Sequence, residues 1–432
     1  MSEISTYPQE WLQKALGEVC QVEIGGTPSR NAPRFWADEG QEGYPWAAIS
    51  DLGPKWIYET AERITQAGVN NSNVKLVPKG TVLMSFKLTL GRVGITGIHL
   101  YTNEAIAAFY PDSSQVFAGW LYHVLPKVAG TVSAEQAIKG QTLNKDKLQR
   151  LMVRLPPLSE QRQIAEILDA ADEAIRQTER VIAKLKAVKA GLLHDLLTRG
   201  LDEHGHLRDP QAHPEQFKDS PLGRIPREWE VVTVESIAAN KRHAIVDGPF
   251  GSNLKSEHYR GQGVPVIQSG YVTSGEFWAE SYVYVDHSLF QAQIRSAVEP
   301  GDIVMAKIGA QCGTCALLPE EHPVSILASN SLKISTDYQA CRPHYLLRVL
   351  HYFFDTGRME LVKTETAQPA ISLKNLRALM IPLPSLAEQD VIVAALDAHD
   401  ARIRAEEVEL AKLRQVKRGL MDDLLTGRVR VV

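Results

Sequence analysis

Leu155-Pro156-Pro157-Leu158-Ser159-Glu160-Gln161 returns later in the chain as Leu383-Pro384-Ser385-Leu386-Ala387-Glu388-Gln389. Each copy opens a long helical pattern, and the two patterns close alike, in Asp195-Leu196-Leu197-Thr198 and Asp423-Leu424-Leu425-Thr426. The runs align at one offset without a gap and share roughly half their positions, which marks a duplicated unit. The segments between the copies, Met1 to Arg154 and about Ser220 to Pro382, share only scattered residues. Duplication kept the helices and let the globular parts diverge, so the chain reads as one scaffold carrying two different heads.

The first run carries a seam at Ile164, Leu168, Ala171, Ile175, Thr178, Ile182, Leu185, Lys189, Leu192 and Leu196. These residues alternate spacings of four and three, the heptad pattern of a coiled coil. The second run places Ile392, Leu396, His399, Ile403, Glu406, Leu410, Leu413, Lys417, Leu420 and Leu424 at the same stations. Proline at 156, 157 and 384 fixes extended backbone ahead of each helix, and Ser159 is the expected N-cap of the first. At 1.5 Å per residue, about 40 residues make a rod of roughly 60 Å. A rod with one apolar stripe needs a partner, and the nearest is its own duplicate.

The expected layout is a first head over 1–154, a helix over 155–199, a turn-rich connector over 200–225, a second head over 226–382 and a helix over 383–432. The heads share punctuation in order: Pro8-Gln9-Glu10-Trp11 with Pro226-Arg227-Glu228-Trp229, Gly43-Tyr44-Pro45 with Gly263-Val264-Pro265, and Lys79-Gly80-Thr81-Val82 with Pro300-Gly301-Asp302-Ile303. The last pair reads as a tight turn into a strand rich in β-branched residues. The heads are therefore expected to be homologous α+β domains.

A chain of 432 residues can bury two cores, and its formal charge of -4 excludes a uniformly basic nucleic-acid binder. No leader pattern opens the sequence, and no run of about 18 apolar residues occurs, so a soluble cytoplasmic protein is expected. The 4 cysteines do not form a disulfide framework. Cys312, Cys315, Cys341 and His344 nominally complete a zinc set, but the stretch between the pairs is longer than compact zinc ribbons use. Buried thiols are the preferred reading, and no metal or cofactor is expected. The sequence carries no Gly-x-x-x-x-Gly-Lys-Ser/Thr loop, no His-Glu-x-x-His and no Asn/Asp-Pro-Pro-aromatic motif, so no catalytic site is assigned.

Gly25-Gly26-Thr27-Pro28-Ser29 in the first head, Asp247-Gly248-Pro249-Phe250-Gly251-Ser252 in the second, and the paired Leu-Pro-x-Leu-x-Glu-Gln helix starts resemble the specificity subunit of Type I restriction-modification systems over nearly the whole chain. That resemblance implies two target-recognition domains separated by an antiparallel pair of long coiled-coil helices. Each domain would read one half of a split double-stranded DNA target. Methyltransferase subunits would dock on the helices, restriction subunits would complete the assembly, and the chain itself would be no enzyme. A specificity subunit of another phage-defence methylation system, or a coiled-coil scaffold with protein-binding heads, remains the alternative.

Polar and basic side chains on turn segments are the expected DNA contacts, since loops held by a rigid scaffold carry recognition. They are Ser29, Arg30, Asn31, Lys87, Thr89 and Arg92 in the first head, and Ser252, Asn253, Lys255, Lys307 and Gln311 in the second. Polar residues shared by both helices beyond the needs of the seam are the expected docking surface. They are Glu160, Gln161, Asp169, Asp172 and Arg176, matching Glu388, Gln389, Asp397, Asp400 and Arg404.

Overall fold

The computed structural model describes residues 8, 10–38, 40–137, 144–364 and 368–431, with the backbone alone at 131–137 and 252. The chain divides into two compact units, Met1–Arg180 with Glu407–Val432, and Val181–Glu406. The boundary cuts both long helices, Leu158–Thr198 and Leu386–Leu424, so each unit is a head together with half of each helix. Within each unit helix and head share a core.

In the first unit a five-stranded sheet runs Cys20–Ile24, Ile106–Pro111, Val82–Ser85, Val93–Thr96, Trp56–Ile57, antiparallel except for the last pairing. A three-stranded sheet sets Tyr44–Ala47 between Glu62–Ile64 and Tyr101–Thr102. A ribbon of Leu12–Ala15 against Met152–Leu155 brings the two ends of the head together just before the central helix. Trp120, Leu121 and Leu125 of the helix Ala118–Ala137 pack with Val82, Met84 and Phe109 of the large sheet. Ile164, Ala165 and Leu168 of the central helix, Leu424 at the end of the C-terminal helix and Leu425 just beyond it enter the same core.

The second unit repeats this construction. Ile245–Asp247, Ser331–Ile334, Ile303–Ala306 and Cys315–Leu317 form its antiparallel sheet. Val264–Ile267 pairs with Tyr284–Val285 and, in parallel, with Ser325–Leu327. Glu230–Thr233 against Met380–Leu383 closes the head. The expected matches hold in register: Tyr44 faces Ile64 as Val264 faces Val285, and Val82 faces Ile95 as Ile303 faces Leu317. The turn glycines Gly80 and Gly301 both take positive φ, at 87° and 80°, which explains why glycine stands in each. Tyr345, Leu346 and Leu350 of the helix Pro343–Asp355 share a core with Ile392, Leu396, Leu193, Leu196 and Leu197 of the long helices.

Every seam residue named above is buried or half-buried. In the first unit Asp172 pairs with Lys417 and Glu179 with Arg414, so the helix segments run antiparallel there. In the second unit Lys189 pairs with Asp400, the same contact at the duplicated positions. Seam lysines thus meet carboxylates across the pair, a polar contact that fixes register where an all-apolar seam would slide. Ser159 does not cap the central helix: that helix starts at Leu158, and Gln161 N bonds Pro157 O at 2.9 Å. The corresponding helix start is capped by Ser385, whose Oγ accepts from Glu388 N at 3.3 Å.

The connector is ordered. Gly200 takes φ 61° at the end of the central helix, as Gly427 takes 68° at the end of the other. Leu201 bridges Leu207, and a hairpin of Phe217–Ser220 with Gly223–Pro226 follows.

Candidate nucleic-acid interface

Strand register decides which loops of each head lie together. In the first head Ile24 faces Ala107, Ala107 faces Met84, and Met84 faces Val93, so residues 25–31, 86–92 and 103–105 all leave from one end of the sheet. A Cβ on Gly25 would strike the carbonyls of Thr102 and Asn103, and this close crossing is what the Gly-Gly step permits. Trp46 Nε1 donates to Gly26 O at 3.0 Å and Trp36 Nε1 to Ser29 O at 3.2 Å, the two rings meeting edge to face with centroids 5.0 Å apart. Arg30 lies 3.7 Å above the Trp36 ring and forks onto Glu62, its Nη2 2.9 Å from Oε2. That hydrogen bond holds Glu62 below the ordinary carboxylate range and Arg30 above its own. Thr27 bonds Glu104, whose carboxyl is lowered first by that bond and further by the charges of Lys87 and Arg30. The expected contact residues Ser29, Arg30, Asn31, Lys87, Thr89 and Arg92 are all exposed at or beside this end. Arg30 is tied to Glu62, and Arg92 Nη2 to Leu52 O.

In the second head Asp247 faces Leu332, which faces Met305, which faces Cys315, so residues 248–253, 307–314 and 328–330 cluster the same way. Gly248 passes the Ala328 carbonyl as closely as Gly25 passes Thr102. The residues themselves are different. Lys307 is buried, with Nζ 2.6 Å from Asp247 Oδ2 and 4.0 Å from the centroid of the Phe250 ring. Arg295 Nη2 reaches the other Asp247 oxygen at 3.1 Å. Lys307 was expected on the surface and instead carries a buried ion pair. By register its counterpart in the first head is Phe86, and Asp247 stands where that head has Ile24, both in the apolar cluster. Asn253, Lys255 and Gln311 are exposed as expected, and the side chain of Ser252 lies outside the described residues.

Cys312, Cys315 and Cys341 belong to the main apolar cluster of their unit, and His344 is exposed. Among the described residues no three His, Cys, Asp or Glu side chains converge as a metal site. Burial pushes the Cys315 and Cys341 thiols up to about 12.

The polar residues shared by the long helices do three jobs, each done twice. Gln161 Oε1 accepts Phe117 N at 2.8 Å and its Nε2 donates to Gln115 O and Pro156 O, while Gln389 does the same with Arg342 N, Ala340 O and Pro384 O. Each glutamine satisfies the backbone at the start of its head's packing helix. Glu160 accepts Trp11 Nε1 at 3.1 Å and pairs with Arg430; Glu388 accepts Trp229 Nε1 at 2.9 Å, Leu201 N at 2.8 Å and Arg208 Nη1 at 2.7 Å. Finally, the head helix presents one basic residue to an aspartate pair. His123 lies 2.9 Å from Asp169 and 4.0 Å from Asp172, and Arg348 lies 2.6 Å from Asp397 and 2.8 Å from Asp400. Lys55 also reaches Asp169. Burial raises the Asp169 and Asp400 carboxyls, but the bonds from His123 and Lys55 to the first, and from Lys189 with the charge of Arg348 to the second, outweigh it and leave both below their ordinary value.

Glu160, Gln161 and Gln389 are buried and Glu388 nearly so, which removes them from an outward docking face. Asp172 and Asp400 are only 13% and 14% exposed and serve the helix pair and the head clamp. Asp169 has one face occupied by Lys55 and His123. Arg404 and Asp397 remain exposed and Arg176 is half-buried, beside Glu276, Arg348 and Glu173 respectively. The sequence did contain a signal for the inward role of the glutamates. The Pro-x-Glu-Trp and Leu-Pro-x-Leu-x-Glu-Gln motifs are duplicated together because the tryptophan of one bonds the glutamate of the other.

A family model described as the Type I restriction modification DNA specificity domain matches residues 8–187 and again 226–415. The specificity subunit of the putative type I restriction enzyme MjaX of Methanocaldococcus jannaschii is 26% identical over 451 residues, spanning 100% of this chain and 96% of its own length. The MjaVIII specificity subunit of the same organism is 25% identical over 98% of this chain and 94% of its own. Two solved structures share the fold. A chain from structural work on complex assembly and conformational transition of the type I R-M system superposes with TM-score 0.61 at 19% identity, covering 98% of this chain and 100% of that one. The S subunit of a type I system from M. genitalium gives 0.55 at 15% identity, covering 98% of each.

Proposed function

The chain belongs to the Type I restriction modification DNA specificity family, and from that membership we propose that its heads read the two halves of one asymmetric DNA target while partner subunits perform the chemistry. Type I specificity subunits bind DNA and assemble with modification and restriction subunits. For this chain the proposed assembly is one of double-stranded DNA, methyltransferase subunits and restriction subunits, acting in the cytoplasm. Among the described residues no helix is long and apolar enough to cross a membrane.

The observation that carries this reading is a contrast within each head. The framework is the same twice: tryptophan on glutamate, glutamine on the head helix, a basic residue on two aspartates. The loop ends differ in kind, with a stacked arginine and apolar Ile24 and Phe86 in one, and the Asp247–Lys307–Arg295 group in the other. A protein reading two different half-sites needs one framework and two reading ends. Ser29, Asn31, Lys87 and Thr89, and Asn253, Lys255 and Gln311, are the proposed contacts. The proposed docking face centres on Arg176, Arg404 and Asp397. With no catalytic constellation assigned, methyl transfer and cleavage are left to the partners.

The reading is tested by selecting bound duplexes from a randomised library with the full chain assembled with its methyltransferase subunits. Two short unrelated sequences at a fixed separation are expected. Salt-insensitive or sequence-indifferent retention would contradict it.

A further inference from the structure

Leu88 is 98% exposed, more than any other large apolar side chain among the described residues. It also has φ 61°, one of only two non-glycine residues with positive φ in the described chain. Its neighbours close a three-residue turn over it, Thr89 N donating to Lys87 O at 2.7 Å, a turn type that is rare and strained for an L-residue.

The loop below is tightly held. Gly91 N bonds Ser85 O at 2.9 Å, Phe86 N bonds Ala105 O at 2.9 Å, and the Ser85 hydroxyl both donates to Thr89 O and accepts Arg92 N. Register places Gly309, φ 104°, at the equivalent position of the second head, where a Cβ would meet nothing. The backbone shape thus suits glycine in both heads, and the first places a leucine there, fully in water. Folding accounts for the glycine and not for the leucine. The second head carries its own exposed apolar side chain on the neighbouring loop: Phe250, 50% exposed above Lys307, at the station where the first head has Thr27.

We propose that Leu88 is an apolar base contact of the first head, carried into the DNA by a rigid loop whose flanking Lys87 and Thr89 meet the backbone, and that Phe250 is its counterpart in the second. The inference rests on the heads being DNA readers. Apolar side chains contact bases in two ways, by packing on a thymine methyl or by wedging between base steps, and both exclude water from the leucine.

The test uses the full chain assembled with its methyltransferase subunits, on the duplex that methylation mapping identifies. Leu88→Gly should weaken binding roughly ten- to a hundredfold, the value of taking a leucine side chain out of water. Its thermal midpoint should equal or exceed the parent's, since glycine relieves the positive φ. Leu88→Met should retain binding. Phe250→Ala should weaken binding comparably. A 2-aminopurine in the first half-site that brightens with the parent and not with Leu88→Gly supports a wedge. Sensitivity of the parent alone to uracil in place of thymine supports a methyl contact. Leu88→Gly binding within about twofold of the parent overturns the inference, as does a binding loss matched by a fall in midpoint. A parent complex that binds no DNA sequence selectively overturns the underlying reading instead.

Discussion

Arg348→His converts the clamp of the second head into that of the first, and the consequence can be worked from the contacts. Arg348 is 16% exposed and spans Asp397, which is 49% exposed, and Asp400, which is 14% exposed. The Asp397 contact is wet and contributes little. The Asp400 contact is shielded and shared with Lys189, so its loss leaves that carboxylate half-compensated rather than bare. A loss of about 1–2 kcal/mol follows once the introduced group is neutral. For a unit of about 200 residues that lowers the midpoint by roughly 2–8 °C. An imidazole facing two carboxylates has its folded pKa raised above the unfolded value of about 6.5. Its contribution is therefore fully present below about 6.5 and is lost as pH rises through the raised folded value. His351, one turn along, is pushed below its ordinary value by burial first and by Arg348 and Lys189 besides, so parent and variant are compared with His351→Gln in both. Calorimetry of parent and variant at about pH 5.5 and about pH 8 should show near-equal midpoints at the first and the full deficit at the second. A variant whose deficit is the same at both would refute the reasoning that this clamp works through charge.

Glu388→Gln should cost about 3–5 kcal/mol, because Arg208 is only 8% exposed and would lose its buried carboxylate, while one of the two acceptor oxygens becomes an NH2 group facing a donor; a urea midpoint measures it, and a neutral result would contradict the assigned bonds. Asp169 and Asp400, both held below their ordinary value, contribute stability above the unfolded pKa of about 3.9 that disappears as pH falls through their folded values. Circular dichroism against pH should therefore show an acid transition below about pH 4 that Asp169→Asn combined with Asp400→Asn makes shallower. Cys20, Cys315 and Cys341, each pushed up to about 12 by burial, should resist a disulfide reagent in the folded chain and react on unfolding, and rapid native labelling would contradict their placement.

The duplicated helices were legible because a heptad seam is a periodic signal, and every station it named lies buried or half-buried in the structure. The turn glycines and the strand matches between heads were legible for a similar reason, since positive φ and strand entry leave local marks. What the helix positions do was not. Glu160 and Gln161 follow the proline turn at the helix start, where polar residues usually face water, and only the fold shows Trp11 and Phe117 reaching them. Asp172 was expected to face a partner because it repeats as Asp400, yet repetition preserves inward contacts as well as outward ones. Lys307 shows the same limit for the loop end: a basic residue beside a turn reads as a surface contact, and only the fold shows it bonded to Asp247 and inside the head. Leu88 left no mark at all, because an exposed leucine in a sequence looks like a buried one.

If each head reads its own half-site on a common scaffold, exchanging one head changes one half-site alone. Residues 1–154 are replaced by the first head of another specificity subunit that supplies its own tryptophan for Glu160, and methylated positions are mapped in cells carrying the chimera with its methyltransferase subunits. The predicted result is a new first half-site beside an unchanged second half-site at the same separation. A change in both halves, or methylation that still follows the original first half-site, would contradict it.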